Sequence, residues 1–411
     1  MKKTTNDAII IGFALFSMFF GAGNLIFPGY LGYTLGSQYL TGMIGFIITG
    51  VGLPLLAILS CSKGGNNFEY IANKINRKFA TIFTTMLVLA IGPLLAVPRT
   101  AATTFEVTIN PFFPNVPSWL VILIYFGINL YFLLKKSSII DTIGKYLTPA
   151  LIIILVVLIL KGIFMPIGSI AEKDISGVFA SSLLEGYQTM DAIGALLFVN
   201  LILSSIKSKG YEGKALSSIL VKASLVAIIG LAFVYGGLTF IGAQTSELVS
   251  GEINKTRLLV LIAQNILGDI GPVLIGVAMG LACLTTSIGL TTAGAEHFEK
   301  ISNGKLSYKF NVIIICIVSY GIALLGVDKI IVFSAPILSF LYPVAITIII
   351  YALLQDYVKI KTARLAVLTS LVCSILLLIP GLNFLPAALL DFGWFLPTIA
   401  ALIIGQIIFK N

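Results

Sequence analysis

Phe20-Gly21-Ala22-Gly23-Asn24-Leu25-Ile26-Phe27-Pro28 interrupts the first apolar run of the chain, which extends over about 8–29. Two glycines and an asparagine are weak helix formers, and the proline four residues on lacks an amide hydrogen. In hydrocarbon an unpaired backbone group costs several kcal/mol, so a spanning helix unwinds only beside a cavity or inside protein. Unwound carbonyls there suit a cation, and the half-helix that restarts presents free amides at its positive end to a carboxylate. Glycines also serve seams where helices pack closely. Asn24 weighs against a mere seam, because a buried amide side chain needs partners.

Eleven more apolar runs surround this one, at about 40–60, 79–98, 118–134, 147–165, 184–204, 219–242, 271–295, 310–326, 330–354, 365–380 and 391–409. Of 411 residues 58% are hydrophobic, about 238, against the roughly 240 that twelve spans of about 20 need. Charged residues are 10% of the chain, whereas a soluble domain carries about 25%. That composition excludes an ordinary soluble enzyme, a disordered chain and a nucleic-acid binder, and the net charge of +9 is spread over short loops. The runs are continuous rather than alternating, which argues against a β-barrel. No connection exceeds roughly 30 residues, too few for a separate soluble domain. The expectation is an all-α membrane protein of about twelve helices in one domain, 1–411, embedded in a lipid bilayer, with no nucleic-acid or obligate protein partner.

Lys and Arg orient it. With the N-terminus in the cytoplasm, 20 of the 26 fall on inner connections and five, Arg99, Lys173, Lys255, Arg257 and Lys329, on outer ones. Lys161 sits near an outer helix end and can snorkel. Both termini are expected inside. The run after Lys2 and Lys3 is too long for a signal peptide and no cleavage site follows, so it reads as a retained span. Cys61, Cys283, Cys316 and Cys373 share no close spacing and suggest neither disulfides nor a metal site.

A second polar interruption lies in the sixth run: Glu185-Gly186-Tyr187-Gln188-Thr189-Met190-Asp191-Ala192-Ile193-Gly194. An acidic side chain within an apolar run is expensive and points to function, so Asp191 is expected to face a cavity. Glu185, nearer the outer edge, is expected to be solvated. Gly-interrupted polar segments five spans apart are the mark of an inverted-repeat transporter whose site lies at the membrane midplane. Gly21, Ala22, Gly23 and Asn24, with Gln188, Asp191, Ala192 and Gly194, are the candidate substrate contacts. Phe20, Ile193 and Leu197 are candidate apolar walls.

In the eighth run Ala282, Thr285, Thr286 and Gly289 share one helix face. Two hydroxyls, the Ala282 carbonyl and two carbonyls near the first break would make a five-oxygen site for a hard cation such as Na⁺. The same hydroxyls can instead bond carbonyls of their own helix. His297, the only histidine, is expected in a solvated inner loop, and no zinc ligand set exists around it. Gly92, Pro93 and Pro98 are expected to break the third helix just before Arg99. That arginine either clamps an anion or gates the outer mouth, or it is an interface arginine that pairs with Glu106 or lipid headgroups. Ala335-Pro336 and Tyr342-Pro343 are expected to kink the tenth span. No nucleophile–base constellation lies at membrane depth, so an enzyme is not expected, and no ring-forming filter repeat suggests a channel.

Phe20–Pro28, Gly92–Thr100 with Phe105-Glu106, Gly186–Gly194, Leu281–Thr286 and Leu338–Val344 together resemble the branched-chain amino acid:cation symporters, the BrnQ-type transporters. The resemblance extends over the whole chain. It implies a leucine-transporter-like fold: a 5+5 inverted repeat, about 7–165 and 184–354, with discontinuous first and sixth helices and two appended helices over 365–409. It implies uptake of leucine, isoleucine and valine across a bacterial cell membrane, driven by sodium or protons. Carbonyls of Ser17 and Phe20 with Ala282, Thr285 and Thr286 would hold Na⁺. Asp191 departs from the better-known members of that fold, and would bind the substrate ammonium or carry a proton. Another amino acid or a nucleobase is the alternative cargo.

Overall fold

The computed structural model describes residues 2–64, 68–135, 139–249, 251–379 and 392–409, and they contain helices but no strand. Lys136, Lys410, Asn411 and the ends of the last two apolar runs, at 380 and 391, lie outside the described residues. The first run is split into α1 (Lys2–Phe19) and α2 (Ala22–Leu35). The second comprises α3 (Tyr39–Ile47) and α4 (Leu53–Gly64), joined by a π turn over Ile48–Gly52. After the short connector α5 (Phe68–Ile75), the third run forms α6 (Arg77–Leu89) and α7 (Ala96–Thr104), again with a π turn between them. Two uninterrupted helices follow, α8 (Ser118–Lys135) and α9 (Ile139–Phe164).

The sixth run divides into α10 (Val178–Tyr187) and α11 (Asp191–Ser208). Then come α12 (Gly213–Gln244), α13 (Lys255–Leu267), α14 (Ile270–Ile301), α15 (Tyr308–Ala323) and α16 (Val327–Leu353). The last two are α17 (Ile360–Leu377) and α18 (Phe395–Ile408). Each apolar run therefore falls on helix. Among the described residues seven helical stretches are long and apolar enough to cross a membrane, and four shorter apolar helices accompany them.

The connectors α5 and α13 lie outside the apolar runs. In α5 the buried residues are Phe68, Ile71, Ala72 and Ile75, an i, i+3, i+4, i+7 stripe that seats it on α6. Asn254 caps α13 by accepting the Arg257 amide at 2.8 Å, and Leu258, Leu259, Ile262 and Ile266 bury its face against α14 and α2.

Two local expectations change. Only Phe20 and Gly21 leave the helix in the first run; Ala22, Gly23 and Asn24 are already wound into the first turn of α2. The third-run break falls at Gly92 (φ −80°, ψ −111°), so Pro98 and Arg99 sit inside α7. Pro98 is in the first turn there, where no amide hydrogen is needed. α16 carries Pro336 and Pro343 inside one continuous helix.

Packing centres on the split first helix. α12 runs along both α1 and α2. At that crossing a Cβ on Gly32 would stand 1.8 Å from the Thr239 carbonyl oxygen, and one on Gly242 1.9 Å from that of Gly29. Only glycine permits such backbone approach, the usual device where lipid supplies no hydrophobic force between helices. α7 is deep inside and α8 peripheral: the apolar window of the α6–α7 stretch is 67% buried, that of α8 28%. Ile229, Ile317 and Val332 project from the outside of the bundle, as lipid-facing side chains do. One end is tied by Lys63–Asp356 at 2.7 Å, Lys209–Asp7 at 2.9 Å and Lys300–Glu69 at 2.6 Å.

Candidate functional site

The two breaks meet. Between them, α7 and α14 lies a cavity of about 40 Å³ lined by Gly21, Ala22, Gly23, Asn24, Asp191, Gly194 and Thr286 among the expected residues. That volume exceeds what a single water or a bare ion needs. Gln188 and Ala192 are buried next to it without lining it. Met18, Phe19, Phe198 and Leu290 supply the apolar wall in place of the expected Phe20, Ile193 and Leu197. Phe20 instead stacks on Phe16, with ring centroids 4.9 Å apart.

Asn24 organises the first break. Its Oδ1 accepts the Gly21 amide at 2.9 Å, drawing that amide away from the ordinary helical ladder. Its Nδ2 donates to Asp191 Oδ2 at 2.6 Å and to the Tyr235 hydroxyl. Tyr235 in turn donates to Asp191 Oδ2 at 2.9 Å. Asp191 is 5% exposed, and one of its oxygens thus joins α2, α11 and α12. Tyr235 gave no signal in the sequence, because an aromatic ring inside an apolar run reads as core; its hydroxyl nevertheless needs a partner at that depth.

Of the expected cation ligands, Thr286 Oγ1 stands 3.5 Å from the Phe20 carbonyl oxygen. Thr285 Oγ1 donates to the Ala282 carbonyl at 2.9 Å and to that of Leu281 at 3.2 Å. A Cβ on Gly21 would come 3.3 Å from Thr286 Oγ1, so the glycine keeps room beside that hydroxyl. Ser17 lies in the last turn of α1. These are neutral, hard oxygens, a donor set that fits Na⁺ and offers a soft transition metal nothing.

Arg99 corrects the sequence reading most. Expected at the outer mouth, it is 3% exposed and lines the cavity. Its Nη1 donates to the Gln188 carbonyl at 2.7 Å, and its guanidinium lies 5.3 Å from the centroid of the Phe27 ring. Glu106 is not its partner: that carboxylate accepts Thr256 Oγ1 at 2.7 Å and the Val327 amide at 2.9 Å. The second break is held from both sides, because Gln188 Oε1 also accepts Ser334 Oγ at 2.7 Å from α16. Tyr187 stacks on Tyr342, with centroids 4.1 Å apart.

Two outlying residues differ from expectation. Glu185 is half-buried rather than solvated. His297 is half-buried in the last turns of α14, its Nε2 3.0 Å from Thr85 Oγ1, rather than in a loop. All four cysteines are free, and all but Cys373 are buried.

Solved transporters share this architecture. The inward-facing conformation of Mhp1 superposes with a TM-score of 0.66 at 14% identity, covering 98% of this chain and 91% of that one. MhsT in complex with L-phenylalanine gives 0.62 at 17% identity, covering 97% and 98%. Sequence likeness is closer. The branched-chain amino acid permease BraB of Bacillus subtilis (strain 168) is 38% identical over 424 residues, 98% of this chain and 95% of its own. A putative branched-chain amino acid carrier protein of Staphylococcus aureus (strain MRSA252) is 36% identical over 428 residues, covering 97% and 96%. Residues 4–411 match the family described as branched-chain amino acid transport protein, and with a broken-helix bundle and full-length relatives in agreement, the chain belongs to that family.

Proposed function

We propose that this protein is a secondary transporter that takes up leucine, isoleucine and valine by symport with Na⁺, through alternating access in a bacterial plasma membrane. Twelve spans, with both termini cytoplasmic, would form a 5+5 inverted repeat plus two appended helices. The positions of α5 and α13 support the repeat, since one connects spans two and three and the other spans seven and eight. The observation that carries the function is Asp191, held by Asn24 and Tyr235 where the two broken helices converge. A fixed carboxylate at membrane depth is costly and is matched by a substrate ammonium. The free amides at the start of α2 receive the substrate carboxylate. Ser17, Phe20, Ala282, Thr285 and Thr286 would hold Na⁺, which orders the split helix and so raises substrate affinity. Linkage makes that coupling reciprocal.

Apolar walls separate side chains differing by one methylene by only about 1–3 kcal/mol, so all three branched-chain substrates are accepted. Proteoliposomes under an imposed Na⁺ gradient are expected to concentrate labelled leucine, with unlabelled isoleucine and valine competing. Uptake that ignores Na⁺ and follows a proton gradient overturns the ion assignment. Competition by nucleobases and not by aliphatic amino acids overturns the substrate.

A further inference from the structure

We propose that Arg99 is the carboxylate anchor of the transport site, and that with Asp191 it restricts the site to solutes carrying both a carboxylate and an ammonium. The inference rests on the amino acid transport reading above. It starts from what the protein withholds from this arginine. Arg99 belongs to none of the ion pairs among the described residues, although it is 3% exposed. A buried charge without a counter-charge is strongly unfavourable, and proteins normally pair it within the fold.

Asp191 lines the same cavity, yet its carboxylate takes neutral donors from Asn24 and Tyr235. Two opposite charges therefore share one small chamber without forming a direct ion pair. A zwitterion neutralises both.

The guanidinium is presented for such a partner. Nη1 is taken by the Gln188 carbonyl, while buried Nε has no hydrogen-bond partner. Nε and Nη2 form one edge of the planar fork, the edge that grips a carboxylate with two parallel hydrogen bonds. Space for it comes from Gly23, where a Cβ would meet Nη2 at 3.0 Å. The same gap sets the fork beside the first turn of α2, so guanidinium and helix dipole converge on one point. Because the Nη1 bond to Gln188 uses the other edge, a bound carboxylate leaves the second break still latched to α7.

Chemical dissection of leucine tests this. Binding to purified protein is measured for leucine, leucinamide (ammonium, no carboxylate) and 4-methyl-2-oxopentanoate (carboxylate, no ammonium). The wild type is expected to prefer leucine to both. Arg99→Gln is expected to weaken leucine about 30-fold or more while leaving leucinamide unchanged or tighter. Asp191→Asn is expected to do the converse, weakening leucine and sparing the oxo acid. Should Arg99→Gln fail to fold, Arg99→Lys keeps the charge but loses the fork, and Gly23→Ala displaces Nη2 with the arginine intact. Both are expected to weaken leucine selectively against leucinamide. Equal losses for leucine and leucinamide in every folded Arg99 or Gly23 variant overturn the anchor. A wild type that binds another amino acid but not leucine overturns the substrate reading alone, and the same acid–amide comparison then decides Arg99 on that solute. Failure to bind any amino acid overturns both.

Discussion

The two helix breaks are built on opposite principles. At the glycine-rich first break, Gly21 has φ −130° and ψ −162°, an extended conformation open to any residue. At the second, the left-handed residue is Met190, with φ 63° and ψ 9°, where a side chain costs of order 1–3 kcal/mol. The glycines of the first break therefore supply room, for Thr286 beside Gly21 and for Arg99 beside Gly23. The second break carries the backbone strain and is clamped from outside by Arg99 and Ser334 on Gln188. One break is a shaped wall and the other a bent backbone held under load. Asp191, the first residue of α11, connects them through Asn24.

The largest effect comes from cutting that connection. Asp191→Asn removes the charge on which Asn24 and Tyr235 converge, and each charge-assisted bond contributes about 1.5–3 kcal/mol. Leucine uptake is expected to fall by about 100-fold or more, with the protein still inserted in the membrane. Normal uptake with normal pH dependence would reduce Asp191 to a packing role and leave the two breaks independent.

A smaller, more local effect is expected on the first break. Thr286→Ala deletes one oxygen of the proposed ion site, next to the Phe20 carbonyl. The Na⁺ concentration for half-maximal uptake is expected to rise about tenfold, the worth of one hydrogen-bond-sized interaction. Uptake with unaltered Na⁺ dependence would remove the ion from this break.

How much of this difference the sequence reveals depends on what marks each feature. Continuous apolar runs locate the helices, and Gly21, Gly23 and Asn24 together announce an interruption because no ordinary span carries them. Asp191 is conspicuous as a charge in hydrocarbon. Arg99 misleads for the same reason: hydropathy ends a span at the first charge, so the third run stops at Pro98. The helix instead resumes and carries the guanidinium inward, where the Gln188 carbonyl and the Phe27 ring receive it. α5 escapes because its apolar residues recur with helical spacing and never form a run, and α13 because its apolar run, Leu258 to Ala263, is far too short to span. Met190 carries no mark, since a methionine in an apolar segment reads as filler and has no preference for the left-handed region it occupies.

Gly21→Ala gives the finest test of the contrast and the smallest expected change. If the residue supplied backbone freedom, alanine would be disfavoured there and the variant would lose thermal stability. Its φ and ψ are accessible to alanine, which also restricts the unfolded chain and contributes about 0.4–1 kcal/mol in favour of folding. The new methyl would stand 3.3 Å from Thr286 Oγ1, so the hydroxyl must yield by a few tenths of an ångström. Expression and melting temperature are therefore expected to hold while the half-maximal Na⁺ concentration rises about two- to threefold, in the direction of Thr286→Ala and short of it. Thermal shift and Na⁺-titrated uptake on one preparation separate the outcomes. A destabilised variant with unchanged Na⁺ dependence would make the first break conformational like the second. A folded variant with weakened Na⁺ dependence confirms that glycine is there to keep a side chain out of the ion's way.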